Sequence, residues 1–364
     1  MPTDHPNTPR PPLEGTEDER ERLTRHRGLA TWGERLVPLE RFTEEVTRHG
    51  RTLGDEERRE ERQRFTSRPD DGARAEGPFR RVLVFGGIYN NHLALRAVLE
   101  EARDWGAEAI YCLGDFGGFG PNPNKVWPLL RWGLESGESR EELEPGAPDL
   151  VRSIQGNYEQ SLSSGAEDCN CGYADPRDNH FAEISYRYTA ANCSPEFKAH
   201  MGTLPERRRI LIGDELACAE VLLVHGSPRL VNEFLFDSTT PDPYLEVLLA
   251  QEHADAMLCT HTGMHWQRRL ASGRLAANVG VIGRPANDGR TAVWAARVDV
   301  EEGAPNPRLG LRCTFAPIVY DAEALAAEMR DENLPAPFVE TILGGWWTTC
   351  LEILPAKERA RSRH

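Results

Sequence analysis

The chain has 364 residues, enough for one large domain with extensions or for two modest ones. Its 58 acidic side chains outnumber 43 basic ones, for a formal net charge of −15, so a global basic footprint for nucleic acid is excluded. The same charge repels an anionic ligand at long range, so any phosphate site must rest on a local metal and arginines.

Residues 1–27 are rich in Pro, Thr and charge with almost nothing to bury, which predicts a disordered arm. Over residues 29–65 the apolar positions Leu36, Leu39, Phe42, Val46 and Leu53 recur at mostly helical spacing, so 28–77 is expected to be a helical extension ending in a linker. The main domain, 78–300, opens with the apolar run Arg81-Val82-Leu83-Val84-Phe85, stopped by Gly86-Gly87. An amphipathic helix over 93–105 and a strand over 109–113 follow, the strand running straight into Gly114-Asp115. Strand, helix, strand with polar residues at the strand ends is the pattern of an α/β layer fold. Further short apolar strands are expected over 150–154, 220–224 and 256–259, and antiparallel strands over 291–298 and 311–315. An insertion over 161–199 is rich in Cys, Asn, Asp and Tyr, and it is expected to be a lid. The C-terminal extension, 301–364, contains two short helical stretches (322–329 and 337–343), the pair Trp346-Trp347 as an aromatic anchor or a protein-binding patch, and a charged tail.

No apolar run reaches the length of a membrane span and no charged-apolar-small leader opens the sequence, so no membrane contact is expected. Cys112, Cys218 and Cys259 sit in apolar runs and read as buried thiols of a reducing compartment, which places the protein in the cytoplasm. Cys169 and Cys171, one residue apart, with Cys193 beyond them, can bind zinc or form a redox disulfide.

Asp115, Asn157, His225 and His261 each end a predicted strand, where an α/β sheet can deliver ligands to one point. Carboxylate, amide oxygen and imidazole are the donors that a hard or borderline divalent cation takes. Their settings are Leu113-Gly114-Asp115, Gly156-Asn157-Tyr158-Glu159, Val224-His225-Gly226-Ser227-Pro228 and Cys259-Thr260-His261-Thr262. In that order they resemble the metal-binding blocks of the calcineurin-like metallophosphoesterases. The likeness extends over about residues 81–295: Asn91 with Ala94-Leu95 matches the end of the family's opening block, and the run from Gly114 to Pro123 is similar to the second block of its YfcE-like branch. The segment Ala277-Asn278-Val279-Gly280-Val281-Ile282-Gly283-Arg284-Pro285 looks like the family's Asn-x-Gly-Ser-Val-Gly-x-Pro run.

The resemblance implies a four-layer αββα sandwich that holds divalent metal between the ends of two sheets, with an N-terminal helical arm and a C-terminal extension outside it. It also shows what this chain lacks. Where the family places the unshared ligands of one metal, this sequence has Gly87, Tyr89 and Gly263, whereas all four ligands of the other are present as Asp115, Asn157, His225 and His261. Three arrangements fit that pattern: a mononuclear catalytic site, a two-metal site rebuilt with Tyr89, His92 or His265, and a binding protein on an enzyme fold.

The leading expectation is a metal-dependent phosphoesterase that hydrolyses a small phosphorylated metabolite with one Mn, Fe or Zn per chain, by Lewis-acid polarisation of a phosphoryl oxygen. The alternative is a ligand- or partner-binding protein, or non-hydrolytic chemistry at the same metal. Tyr158 stands where the family often has an acidic histidine and is a poor acid at neutral pH, while Glu159 orients its neighbours and Tyr89 faces the vacated positions. Candidate substrate contacts are Asn91, Arg229, Arg284 and His265, with Tyr173, Arg177 and His180 from the insertion; Arg284 and Arg229 can supply positive charge to phosphate oxygens.

Overall fold

The apolar run that opens the main domain becomes the centre of a sheet. The computed structural model describes residues 75–135 and 149–360, apart from 170, 172, 215, 216 and 305, together with a two-stranded antiparallel pair, β1 (Thr31–Trp32) and β2 (Arg35–Leu36). The expected arm, most of the helical extension and the last residues of the charged tail lie outside the described residues. The parts of that extension inside them are the strand pair and residues 75–77, which lead into a strand, and neither is a helix.

Sheet one has five strands in the order β13-β12-β4-β5-β6: β4 (Arg81–Phe85), β5 (Ala109–Cys112), β6 (Val151–Ser153), β12 (Val293–Val300) and β13 (Leu311–Ile318). β4, β5 and β6 are parallel, and β12 and β13 close one edge antiparallel. Sheet two has six strands in the order β10-β11-β9-β8-β7-β3: β3 (Glu76–Phe79), β7 (Arg208–Gly213), β8 (Cys218–Leu223), β9 (Ala256–Cys259), β10 (His265–Arg269) and β11 (Leu275–Val279). Its β8, β9 and β11 run parallel. The strand β3 opens before residue 78, so sheet pairing reaches slightly beyond the expected domain edge.

Because side chains alternate along a strand, each sheet has two faces to bury. Val82, Val84, Tyr111 and Leu113 from one sheet meet Ile210, Val221, Leu223 and Leu258 from the other in a core between them. The opposite face of the five-stranded sheet, with Leu83, Phe85 and Cys112, packs under α1 (His92–Trp105), α2 (Val126–Trp132) and α3 (Asn157–Ser164). The outer face of the six-stranded sheet, with Leu222, Met257 and Ala276, is covered by α6 (Asp242–Gln251) through Leu245, Leu248 and Leu249. Helix, sheet, sheet, helix is the four-layer αββα order, as expected.

The insertion is not a simple loop. It contains α4 (Pro176–Asn192), seventeen residues long, and α5 (Pro195–Met201), each started by a side-chain cap, Asp175 and Ser194. The C-terminal extension forms α7 (Ala322–Asp331) and α8 (Ala336–Gly344), which share a small core with Leu93, Phe119 and Phe181. No described helix is long and apolar enough to cross a membrane. Cys112 and Cys259 are buried thiols as expected, but Cys218, at the start of β8, is exposed.

Arg209 ties α6 to sheet two from a side chain only 1% exposed, donating to Glu252 Oε2 at 2.5 Å and to Glu220 Oε1 at 2.9 Å. Arg209→Met keeps most of the stem packing but strands Glu252, which Arg207 still meets at 3.1 Å. We expect a loss of about 3 kcal/mol, the low end for a broken buried pair, read as a lower urea midpoint at unchanged slope. An unchanged midpoint would show that this pair does not contribute to stability.

Candidate metal centre

Four strands deliver the four predicted ligands to one place. Asp115 lies just past β5, Asn157 opens α3 just past β6, and His225 and His261 lie just past β8 and β9. All four are buried, at 2–7% exposure. His225 Nε2 lies 3.1 Å from Asn157 Oδ1, 3.1 Å from His261 Nδ1 and 3.2 Å from Asp115 Oδ2.

Leu113 O sits 2.6 Å from His225 Nδ1, so that nitrogen carries the proton and, in the neutral ring, Nε2 offers a lone pair. Asn157 Nδ2 donates to Cys169 O at 2.8 Å, which turns its carbonyl oxygen inward. With His225 neutral, its Nε2 and the oxygens of Asn157 and Asp115 are acceptors facing one another, an arrangement resolved by a cation or by a proton on Nε2. Donors each about 2.0–2.3 Å from one ion stand roughly 3 Å apart at right angles around it, which matches these spacings. Asp115, His225 and His261 form the one cluster of potential ligand atoms found among the described residues.

The electrostatics suit a cation. Burial opposes ionisation of Asp115, but the facing His225 outweighs it and holds the carboxyl below its ordinary value. Burial and the nearby His225 push His261 down to about 3, so its imidazole is neutral and free to coordinate. Burial alone would lower His225, yet Asp115 raises it, so protons and metal compete for this pair.

Glu159 sets the backbone. Its carboxylate accepts the amides of Asp115 (2.7 Å), Phe116 (2.8 Å) and Gly156 (2.7 Å), joining the loops after β5 and β6. Burial and the charge of Asp115 raise this carboxyl to about 7. Asp115 and His261 have φ of 61° and 68°, a region disfavoured for residues with a Cβ and tolerated at sites that neighbouring structure holds fixed.

No family model matches the sequence. An uncharacterized protein of Methanocaldococcus jannaschii is 42% identical over 166 residues, 45% of this chain, and the chain spans 57% of the length of that relative. Among solved structures, a metallophosphoesterase from Sphaerobacter thermophilus matches with a TM-score of 0.51 at 22% identity, over 73% of this chain and 99% of its own. A hypothetical protein from Pyrococcus horikoshii matches with a TM-score of 0.54 at 21% identity, over 74% of this chain and 99% of its own. The fold is the metallophosphoesterase fold.

Within this metallophosphoesterase fold, the other predicted site residues separate into two groups. Tyr89, Tyr158, Tyr173 and Arg284 line one narrow cavity with Asp115 and His261, and Phe234 and Ile353 complete its walls. Its volume is about 20 Å³, room for a water or two. Tyr158 is spent on Ser185, 3.0 Å from its hydroxyl, and burial raises it well above the ordinary phenol range. Phe234 lies on His261 with ring centroids 4.3 Å apart.

The remaining candidates are engaged elsewhere. Asn91 caps α1 by accepting the Ala94 amide at 2.9 Å, which organises the opening loop. Arg229 donates to the Tyr244 hydroxyl at 2.9 Å. Arg177 donates to Thr348 O at 2.8 Å, and His180 is exposed against Phe181. His265 packs on Trp294 and Phe315, and His92 meets Glu328 at 3.1 Å, so neither faces the centre. Cys169 and Cys171 are joined by a disulfide while Cys193 is a free buried thiol, so these cysteines form no zinc site.

Two features carried no signal in the sequence. The first is Gly156, whose φ of −97° suits any residue. A Cβ there would lie 2.5 Å from Asp115 Oδ1 and 2.7 Å from His225 Nδ1, so the ligand ring closes only around glycine. The second is the place of Trp347. A Cβ on Gly263 would meet its ring at 2.7 Å, and a Cβ on Gly87 would meet Val281 Cγ1 at 2.4 Å and Tyr89 Cζ at 3.0 Å. The Trp347 ring thus fills the space beside Gly263, and Val281 with the Tyr89 ring fills that beside Gly87. Against the two rings lies Arg284, 5% exposed, its guanidinium 3.5 Å from the Trp347 ring centroid, 4.6 Å from Phe119 and 5.7 Å from Tyr89. Such contacts return about 2 kcal/mol when desolvated, against several for taking the cation out of water.

Gly156→Ala pushes a methyl group into Asp115 and His225 without straining the backbone. We expect metal affinity to fall by about tenfold or more, with far-UV circular dichroism unchanged. Full occupancy in that variant, measured by elemental analysis after dialysis, would mean that these donors do not form the metal site.

Proposed function

We propose that the protein is a metal-dependent phosphoesterase acting on a small phosphorylated metabolite through a mononuclear centre of Asp115, Asn157, His225 and His261. The observation that carries this reading is the meeting of Asn157 Oδ1, His261 Nδ1 and Asp115 Oδ2 around His225 Nε2 within 3.1–3.2 Å. The positions that would hold a second metal's own ligands are Gly87, Tyr89 and Gly263, and the side chains of Val281, Tyr89 and Trp347 take up the space beside the two glycines. This supports one metal and speaks against a rebuilt pair, since His92 and His265 are committed elsewhere.

A divalent Mn, Fe or Zn in this ring of donors supplies Lewis-acid polarisation of a phosphoryl oxygen and activation of water. The chain's own residues do the rest. Glu159 holds the ligand loops, Tyr89 and Tyr158 wall the cavity beside the centre, and Tyr173 closes it from the insertion. Tyr158 is a weak acid twice over, being a phenol and a buried one. A leaving group must therefore depart with little help from a proton.

One observation favours a second reading. The cavity measures only about 20 Å³, with walls from the insertion (Cys171, Tyr173, Ala182) and the C-terminal extension (Ile353), which leaves little room for a substrate at the centre and favours a binding role elsewhere on the fold.

Hydrolysis separates the two readings. Metal-replete protein should cleave p-nitrophenyl phosphate, with stimulation by Mn, and Asp115→Ala should abolish turnover by removing the only carboxylate of the set. Without an efficient acid, aryl esters should outpace alkyl esters by about a hundredfold or more. No turnover of any activated ester would favour the binding role, and equal rates on both classes would show that an efficient acid acts at this site.

A further inference from the structure

Arg284 is the one strongly charged side chain in the cavity that has no carboxylate against it. Among the described residues no Asp or Glu pairs with it, and its Nε has no hydrogen-bond partner. Its polar neighbours include the Cys350 thiol and the Tyr89 and Tyr173 hydroxyls, and the rings of Trp347, Phe119 and Tyr89 lie against it. Buried guanidinium groups in folded proteins are paired. The contrast inside this molecule is direct: Arg209, equally buried, has both Glu220 and Glu252. Stacking on aromatic faces lowers the cost of burying Arg284 without cancelling it. No described residue supplies the missing anion, which points to one that comes from outside them.

The cavity says where that anion sits. Arg284 lines it together with Asp115 and His261, so an anion there stands between the guanidinium and the ligand ring, and one of phosphoryl size enters only as the walls from the insertion and the C-terminal extension give way. Arg284 also lies beside Gly263, its Nη2 3.7 Å from where a Cβ would be, and the Trp347 ring fills the space that side chain would take. Trp347 is fixed in turn: its indole donates to Pro285 O at 2.6 Å and its amide to Asn287 Oδ1 at 2.8 Å. The C-terminal extension therefore supplies the plate on which the guanidinium rests.

We propose that Arg284, stacked on Trp347, is the second cationic element of this centre and binds a tetrahedral oxyanion, the phosphoryl group of the ligand, on the side opposite the Asp115–Asn157–His225–His261 ring. A planar fork of donors matches two oxygens of such a group, and its charge is permanent. The near side of the anion depends on the metal reading above; the guanidinium side does not.

The experiment is calorimetric titration of inorganic phosphate into the full-length protein loaded with Mn, with elemental analysis on the same samples. Wild type should bind phosphate. Arg284→Gln should weaken that binding about tenfold or more, as loss of a charge-assisted bond does, and leave metal content unchanged. Arg284→Lys should recover part of the affinity, and Trp347→Leu should weaken binding with the metal still in place. Phosphate binding within twofold of wild type in a folded Arg284→Gln protein would overturn the proposal and leave the metal reading standing. His225→Ala probes the other side: lost metal with residual phosphate binding that still depends on Arg284 supports the guanidinium site. No phosphate binding by wild-type protein would sink both readings.

Discussion

The carboxylate of Glu159 is the constraint on which the centre depends. Three backbone amides from two strand-end loops converge on it, and each loop carries a ligand. The amide of Tyr158 then donates to Asp115 Oδ1 at 3.2 Å, which turns the other carboxylate oxygen toward His225. From the far sheet, His225 reaches across to Leu113 O. Without the acidic residue the loops after β5 and β6 would have unsatisfied buried amides, and such groups are costly. The buried core between the two sheets sets the distance that these side chains must bridge.

Much of this was legible in the sequence because it is local. Apolar runs of four or five residues ending in Gly-Asp, Gly-Asn or His mark strands that stop where chemistry begins, and the ligand positions follow from chain order. The antiparallel strands β12 and β13 and the helices α7 and α8 showed themselves by period alone. The long helix α4 did not. Its sequence mixes Asn, Asp, Tyr and Thr, and its residues are buried on several sides against the core and the C-terminal extension, so no clean apolar stripe marks it. Gly156 looked like part of a motif, and only the ring of donors shows why no side chain fits there. Arg229 and Arg284 were indistinguishable as loop cations, and tertiary packing alone separates the one engaged by Tyr244 from the one facing the centre.

Trp347 links two regions that the sequence separates by some eighty positions. As an anchor it does what its bulk predicts, burying aromatic area against Met264 and Leu354. Its position beside Gly263 gives the anchor a second consequence, because the residue that pins the extension also shapes the site. Folding of the extension and completion of the cavity are one event.

The seam above the cavity is built reciprocally. Asp178 in α4 accepts the amides of Cys350 (2.7 Å) and Glu352 (2.9 Å), while Glu352 accepts those of Ala174 (2.9 Å) and Asp175 (2.6 Å). Each segment thus offers the other both a carboxylate and a pair of amides, like two hooks clasping opposite eyes. The two halves differ in their surroundings: the Cys350 amide on Asp178 is buried, whereas the Ala174 and Asp175 amides on Glu352 are solvent-exposed, so water can take them over when that carboxylate lets go. The seam over the cavity thus has one dry hook, at Asp178, and one wet hook, at Glu352.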